Sequence, residues 1–190
     1  MRNNKTLLLS LLASCWGPSF FFIKIAVAEI SPLMLAALRI GIGASFINIY
    51  LFVKGERLSS NIGFWKKAIV AGFFAQGLPF TLINWGEQYV DSSLASILNG
   101  LTPLFTVVLA QMMLKDEQMT KNKIKGVLLG LSGLIILVLP NLLSGIKASI
   151  TGIAAISLAA ISYAIGLVYI RKHLTKTKAY HVPAAQLLSV

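Results

Sequence analysis

SSLASILNGLTPLFT, residues 92–106, lies within an apolar run, residues 94–114. At about 1.5 Å per residue that run reaches the roughly 30 Å of a bilayer's hydrocarbon core, so it is expected to span a membrane. Ser92, Ser96, Asn99, Thr102 and Thr106 follow one another at steps of three and four, which places them on one helix face. Pro103 falls at mid-span, where it removes a backbone donor and opens the helix beside Asn99. An interrupted helix with a polar stripe at the bilayer midplane is the form a transporter binding site takes. The competing reading makes the stripe interhelical glue, each contact worth about 0.6–2 kcal/mol.

The composition agrees with a membrane protein. The 190 residues are 56% hydrophobic and 12% charged, with a mean hydropathy of +0.79. A soluble domain carries about 25% charged residues. The single cysteine, Cys15, excludes an intramolecular disulfide. Arg2 and Lys5 before an apolar run resemble a secretory leader, but the run is too long and further spans follow. It reads as a retained first helix.

Outward from the opening stretch, spans are expected over residues 6–28, 33–53, 68–85, 94–114, 124–139 and 150–170, with a partial helix from 183. In the first, Ser10, Ser14, Gly17, Phe21 and Lys24 share a face, and Pro18 lies near the centre. The second begins after Ser31 and Pro32, and carries Arg39 about 9 Å inside its start. A polar linker, 54–67, precedes the third, where Pro79 is central and Gln76, Asn84 and Gln88 form a polar stripe. The fifth holds Gly126, Gly130 and Gly133, a close-packing pattern, and Pro140 with Asn141 should end it. The sixth repeats small residues at Ala155, Ala159, Ser162 and Gly166.

Fourteen of the lysines and arginines fall at the N-terminus and in alternate connections, and one, Lys147, falls in the other set. By the positive-inside rule the N-terminus is cytoplasmic. The net charge of +11 is then topology rather than nucleic-acid binding.

Shifting the chain on itself by 147 residues aligns Ser10-Leu11-Leu12-Ala13 with Ser157-Leu158-Ala159-Ala160, Trp16 with Tyr163, Ile23 with Ile170 and Lys24 with Arg171. Five helices per copy is odd, so the second copy must run in the opposite sense, as in inverted-repeat transporters. The residues WGPSFFFIKIAVAEISPLMLAALR (16–39), GEQYVDSSLASILNGLTPLFTVVLA (86–110) and GVLLGLSGLIIL (126–137) resemble the EamA family of the drug/metabolite transporter superfamily. That resemblance implies ten helices in two inverted five-helix repeats, and movement of metabolites or drugs across a bacterial inner membrane, in many members as export. The expected fold is an all-α integral membrane protein, a multi-helix bundle built from inverted five-helix repeats and truncated in the second. Residues 1–141 would be the first repeat and 149–190 the start of the second.

A Lys or Arg inside a span costs about 2.5–3.5 kcal/mol on insertion scales, so Lys24 and Arg39 need a reason. Lys24 is near its helix end and is expected to snorkel to the interface. Arg39 is deeper, with Glu87 or Glu29 as its expected partner. Either cation would attract an anionic group of a substrate, such as a carboxylate; the alternative is a structural ion pair. Glu87 is also the carboxylate placed to couple transport to protons. Trp16, beside Gly17, is a cavity candidate, whereas Trp85 and Tyr89 read as interfacial belt residues. His173 and His181 lie in a basic segment and are expected to be solvated.

The expected substrate-binding residues are therefore Trp16, Gly17, Lys24, Arg39, Gln76, Asn84, Ser96, Asn99, Thr102 and Pro103, with Glu87 as a coupling or ion-pair residue. The expected function is secondary transport of a small amino-acid-like or amphipathic molecule by alternating access. The spans hold no nucleophile paired with a base, no HExxH and no clustered carboxylates, so an intramembrane enzyme is the weaker reading and no cofactor or metal is expected. A channel lacks its charge ring or carbonyl filter. A fragment that inserts without transporting is the remaining alternative. The partners expected are the lipid bilayer and a small molecule.

Overall fold

The computed structural model describes residues 2–114, 116–143, 150–175, 177, 178 and 180–190, with backbone alone for 2–5, 137, 138 and 140–143. Lys115, Lys147 and the connection 144–149 lie outside the described residues. The described chain is helical throughout: α1 (Arg2–Trp16), α2 (Ser19–Glu29), α3 (Pro32–Val53), α4 (Ile62–Gly72), a π-helical turn (Phe73–Gly77), α5 (Leu78–Gly86), α6 (Ser92–Asn99), α7 (Thr102–Met113), α8 (Lys121–Leu143), α9 (Ile150–His173) and α10 (His181–Ser189). Five stretches are long and apolar enough to cross a membrane: Thr6–Glu29, Pro32–Val53, Ile62–Gly86, Ser92–Met113 and Ile150–His173. With Leu7, Leu8, Phe46 and Phe52 all more than half exposed, the outer faces are those of an integral membrane protein.

Three of the spans are interrupted, each next to a proline. Pro18 separates α1 from α2, so the first span is two helices rather than one. In the third span Pro79 cannot donate a backbone N–H, and the helix passes that point through the π turn, where Leu78 N bonds Phe73 O five residues back. The register leaves Phe74 O facing Pro79, and the Ser162 hydroxyl of α9 donates to it at 2.8 Å. In the fourth span Gly100 and Leu101 part α6 from α7, with Pro103 in the first turn of α7. Asn99 O loses the donor that residue 103 would supply, and the Thr102 hydroxyl takes its place at 2.7 Å.

Several boundaries differ from expectation. The third span begins at Ile62, not at 68, because Asn61 caps it: its Oδ1 accepts from Gly63 N at 2.7 Å. Lys66 and Lys67, which read as linker, belong to its first turns, where long cations reach the interface. α8 continues through Pro140 and Asn141 to Leu143, so that proline removes a donor without ending the helix. α10 starts at His181, leaving Pro183 in a first turn, where N–H groups have no helical partner anyway.

α9 is the centre of the bundle, packed against α5, α7, the π turn, α6 and α4. Its small residues allow this: Ala155, Ala159, Ala160 and Ala164 are all buried, and a Cβ on Gly166 would lie 2.8–3.0 Å from Ala75. The glycine pattern of α8 is used less fully. Gly130 meets Leu104, while nothing lies within 4 Å of a Cβ at Gly126 or Gly133. The main core joins Phe20, Ile23 and Val27 of α2 to Ile83, Leu94, Leu98, Ile156 and Ala160.

At the basic end, ion pairs join the connections. Arg171 binds Glu117 at 2.6 Å and Asp116 at 3.1 Å, and Lys123 reaches Glu117 at 2.5 Å. Lys178 Nζ holds both Glu56 oxygens at 2.5 and 2.7 Å, and the Tyr180 hydroxyl donates to Glu56 Oε1 at 2.8 Å. His181, expected to be solvated, is instead buried with Nε2 3.4 Å from Glu56 Oε2, because α10 docks on α4 and α3 and carries it inward. His173 stays exposed and packs on Tyr169.

The hydrogen bonds from Lys178 and Tyr180 hold the Glu56 carboxyl below the ordinary carboxylate range. A depressed folded-state value means this contribution is present above the unfolded value, about 4.5, and is lost as pH falls through the folded one. Backbone amides of α10 should therefore lose protection, relative to their intrinsic exchange rates, below that pH in the wild type. In Glu56→Gln the acid-induced loss of protection, followed by hydrogen exchange, should be smaller.

Candidate functional site

Where the broken spans face α9 and α10 there is a cavity of about 790 Å³. Gln76 of the π turn, Asn99, Thr102, Pro103 and Thr106 at the α6–α7 break, Trp16 at the α1–α2 break and Gln186 of α10 line it. Phe80 and Tyr163 complete an aromatic wall. A second cavity of about 250 Å³ adjoins it and shares Trp16, Phe80, Asn99 and Tyr163. Its lining adds Arg39, Ser19 and Cys15.

The same chemistry that breaks the helices makes the large cavity polar at selected points. Asn99 and Gln186 line this space, and their buried Oδ1 and Nε2 atoms have no hydrogen-bond partner. One is an acceptor and the other a donor. The Thr102 and Thr106 hydroxyls donate to Asn99 O across the break and to Thr102 O at 2.7 Å each, which leaves their lone pairs as acceptors. Apart from Gln76 the rest of the wall is apolar or aromatic, the usual make-up of a small-molecule site.

Arg39 sits at the far end of the smaller cavity, and its partner is neither carboxylate expected for it. Its Nη1 donates to Asn84 Oδ1 at 3.2 Å, and its guanidinium lies 4.2 Å from the centre of the Phe80 ring. Asn84, fully buried, in turn donates from Nδ2 to Pro32 O at 3.1 Å. An amide and an aromatic face thus replace the ion pair, and the positive charge is left uncompensated by direct contact. Lys24, half-buried, donates from its ammonium to Glu87 O at 2.5 Å and Val90 O at 2.8 Å, in the connection between the third and fourth spans. Those carbonyls lie past the end of α5 and have no helical donor, which is what draws the cation in.

Of the residues expected to bind substrate, Trp16, Gln76, Asn99, Thr102 and Pro103 line the large cavity, and Arg39 lines the small one. Asn84 lies one shell behind Arg39. Gly17 forms the α1–α2 turn beside Pro18. Ser96 is exposed and donates to Ser93 O, on the part of the stripe that the helix break turns away from the cavity. Lys24 and Glu87 line neither cavity. Phe80, Tyr163 and Gln186 were not among the expected residues. The 147-residue shift, which aligns Trp16 with Tyr163, contained the one signal for Tyr163.

Among the described residues, a helical bundle with five apolar stretches of membrane length and a cavity at the broken ones is the architecture of a multi-pass membrane protein. The model of the EamA-like transporter family matches residues 4–139, and the chain belongs to that family. It is 28% identical over 175 residues to an uncharacterized transporter of Archaeoglobus fulgidus, covering 90% of this chain and 59% of the relative. It is 28% identical to the uncharacterized transporter YoaV of Bacillus subtilis, covering 91% and 59%, and 26% identical to protein PagO of Salmonella typhimurium, covering 84% and 52%. The chain thus spans about 59% of the length of the first two. No solved structure matches it.

Proposed function

We propose that the protein is a secondary transporter that holds a small amino-acid-like or amphipathic molecule in the cavity beside Asn99 and moves it by alternating access. The observation that carries this reading is a largely apolar cavity of about 790 Å³ walled by Asn99 and Gln186, whose buried Oδ1 and Nε2 have no hydrogen-bond partner, since buried polar groups left unsatisfied cost about 1–3 kcal/mol unless a ligand or water pairs them. An anionic end of the molecule would meet Arg39, a donor would meet Asn99, and the apolar body would lie along Trp16, Phe80 and Tyr163. The direction is outward across a bacterial inner membrane, with the basic end and the N-terminus in the cytoplasm. Residues 1–141 form one repeat and 149–190 begin an inverted second. Trp16 and Tyr163, aligned by the 147-residue shift, both line both cavities, which supports a pseudo-symmetric site.

Cells expressing the protein, preloaded with a panel of labelled amino acids and amphipathic carboxylates, test this. At least one compound should leave faster than from control cells, and Asn99→Ala should slow it roughly tenfold, the loss of about one hydrogen bond. Ser45→Ala, whose hydroxyl bonds Gly41 O on α3, should leave the rate unchanged. Equal rates in wild-type and control cells for the whole panel would refute the reading.

A further inference from the structure

Glu87 has a fully buried carboxylate, and neither oxygen has a hydrogen-bond partner. Nothing in the substrate cavity uses it. It lies three residues beyond Asn84, on the same side of the α5 end, and Asn84 is the residue that holds Arg39. Two cations face the carboxylate, Lys24 from α2 and Arg39 from α3. The Lys24 ammonium spends its hydrogen bonds on the main-chain oxygens of Glu87 and Val90, not on the carboxylate. α9 packs here through Gly152 and Ile156, and the titratable group it turns toward Arg39 is Tyr163.

Arg39 therefore acts on two places for an anion, the buried Glu87 carboxylate and the smaller cavity that it lines. We propose that Glu87 makes the protein bind a proton together with an anionic substrate, so that the two cross the membrane as a neutral pair. The inference rests on the cavity reading above and adds to it the coupling ion and the sign of the coupling.

The sign follows from electrostatics. A carboxylate seated at Arg39 brings a second negative charge near Glu87, and at separations of about 5–10 Å with an effective dielectric near 20 such charges disfavour each other at least tenfold. A proton taken up by Glu87 removes the repulsion and turns an unpartnered buried charge into a neutral acid. By linkage, whatever factor the anion adds to proton affinity, the proton adds to anion affinity. Exchange, in which a proton expels the substrate, would require a cation competing for Glu87. The pair moves as the combined gradients dictate, outward when the substrate has accumulated sufficiently inside.

Calorimetry on the purified protein in nanodiscs, titrated with phenylacetate in buffers of different ionisation enthalpy, counts the protons bound per ligand. Phenylacetate is itself ionised throughout the range from about pH 6 to about pH 8. Its binding should take up a fraction of a proton approaching one and tighten by up to tenfold per pH unit lowered. Phenylacetamide, its neutral isostere, should take up none, and Glu87→Gln should bring the uptake with phenylacetate to zero. Proton release, or phenylacetate binding without uptake in the wild type, overturns the proposal and leaves the cavity reading standing. If neither compound binds, or if Arg39→Gln binds phenylacetate as tightly as the wild type, the cavity reading fails and the proposal falls with it.

Discussion

Gly152→Leu is expected to lower the unfolding midpoint of the protein in micelles more than a substitution on any lipid-facing position. A Cβ at Gly152 would lie 2.9 Å from both Tyr89 Cβ and Val90 Cγ1, and 3.0 Å from Gly86 O. The opposing residue is also glycine: a Cβ at Gly86 would meet Ile156 Cγ1 at 2.6 Å and Gly152 O at 3.1 Å. The start of α9 and the end of α5 therefore touch nearly backbone to backbone, and backbone atoms cannot swing aside as a side-chain tip can. Overpacking a fitted contact costs about 1–3 kcal/mol, so Gly152→Ala should fall in that range and the much larger leucine beyond it. The contact also sets the height of Asn84 and Glu87 relative to α2 and α3. An unchanged midpoint in Gly152→Leu would mean that α5 and α9 do not cross here.

The second large effect is at Lys24. Lys24→Met is expected to destabilise the protein by about 3–5 kcal/mol, the cost of removing one member of a buried charged group. Two main-chain oxygens, Glu87 O and Val90 O, would lose their donor, and the buried Glu87 carboxylate would lose one of its two facing cations. Combining Lys24→Met with Glu87→Gln should recover part of the loss, because the second change removes the charge that the first leaves exposed to a low dielectric. A double-mutant cycle of denaturation free energies measures this. Additive effects would mean that the two side chains act independently. A Lys24→Met protein as stable as the wild type would mean that these two hydrogen bonds do not hold the connection in place.

The partners of Lys24 show where sequence reading stops. Spans are legible because length and hydropathy must match a bilayer, and the breaks are legible because Pro18, Pro79 and Pro103 lack a donor wherever they sit. Polar residues next to those breaks, Trp16's neighbour turn aside, could be placed for the same reason: Gln76, Asn99 and Thr102 sit where helices open, and the structure gathers them at one cavity. The direction of a long side chain is another matter. Which groups Lys24 meets depends on two orphan carbonyls 63 and 66 residues away. Arg39 exchanged an expected carboxylate for Asn84 and Phe80 by the same kind of tertiary choice. Phe80 and Tyr163 look like any aromatic residue in an apolar helix, since nothing local says which of its faces lines a cavity. His181 was misplaced because its charged neighbours suggest water, whereas the docking of α10 buries it. The early start of the third span was hidden by Lys66 and Lys67, whose charges belong to an interfacial first turn rather than to a loop.

The claim that joins fold to function is that water and solute reach the space at the α6–α7 break while the outer helix faces meet lipid. Labelling with a membrane-impermeant maleimide, in proteoliposomes of a Cys15→Ser protein, tests it most directly, because thiols react as thiolates and form these only in contact with water. Thr102→Cys, on the cavity wall, should be labelled, and a transported or bound compound should slow the labelling. Phe46→Cys, 72% exposed on the outer face of α3, should stay unlabelled. Labelling of Phe46→Cys but not of Thr102→Cys, or of neither, would contradict the account.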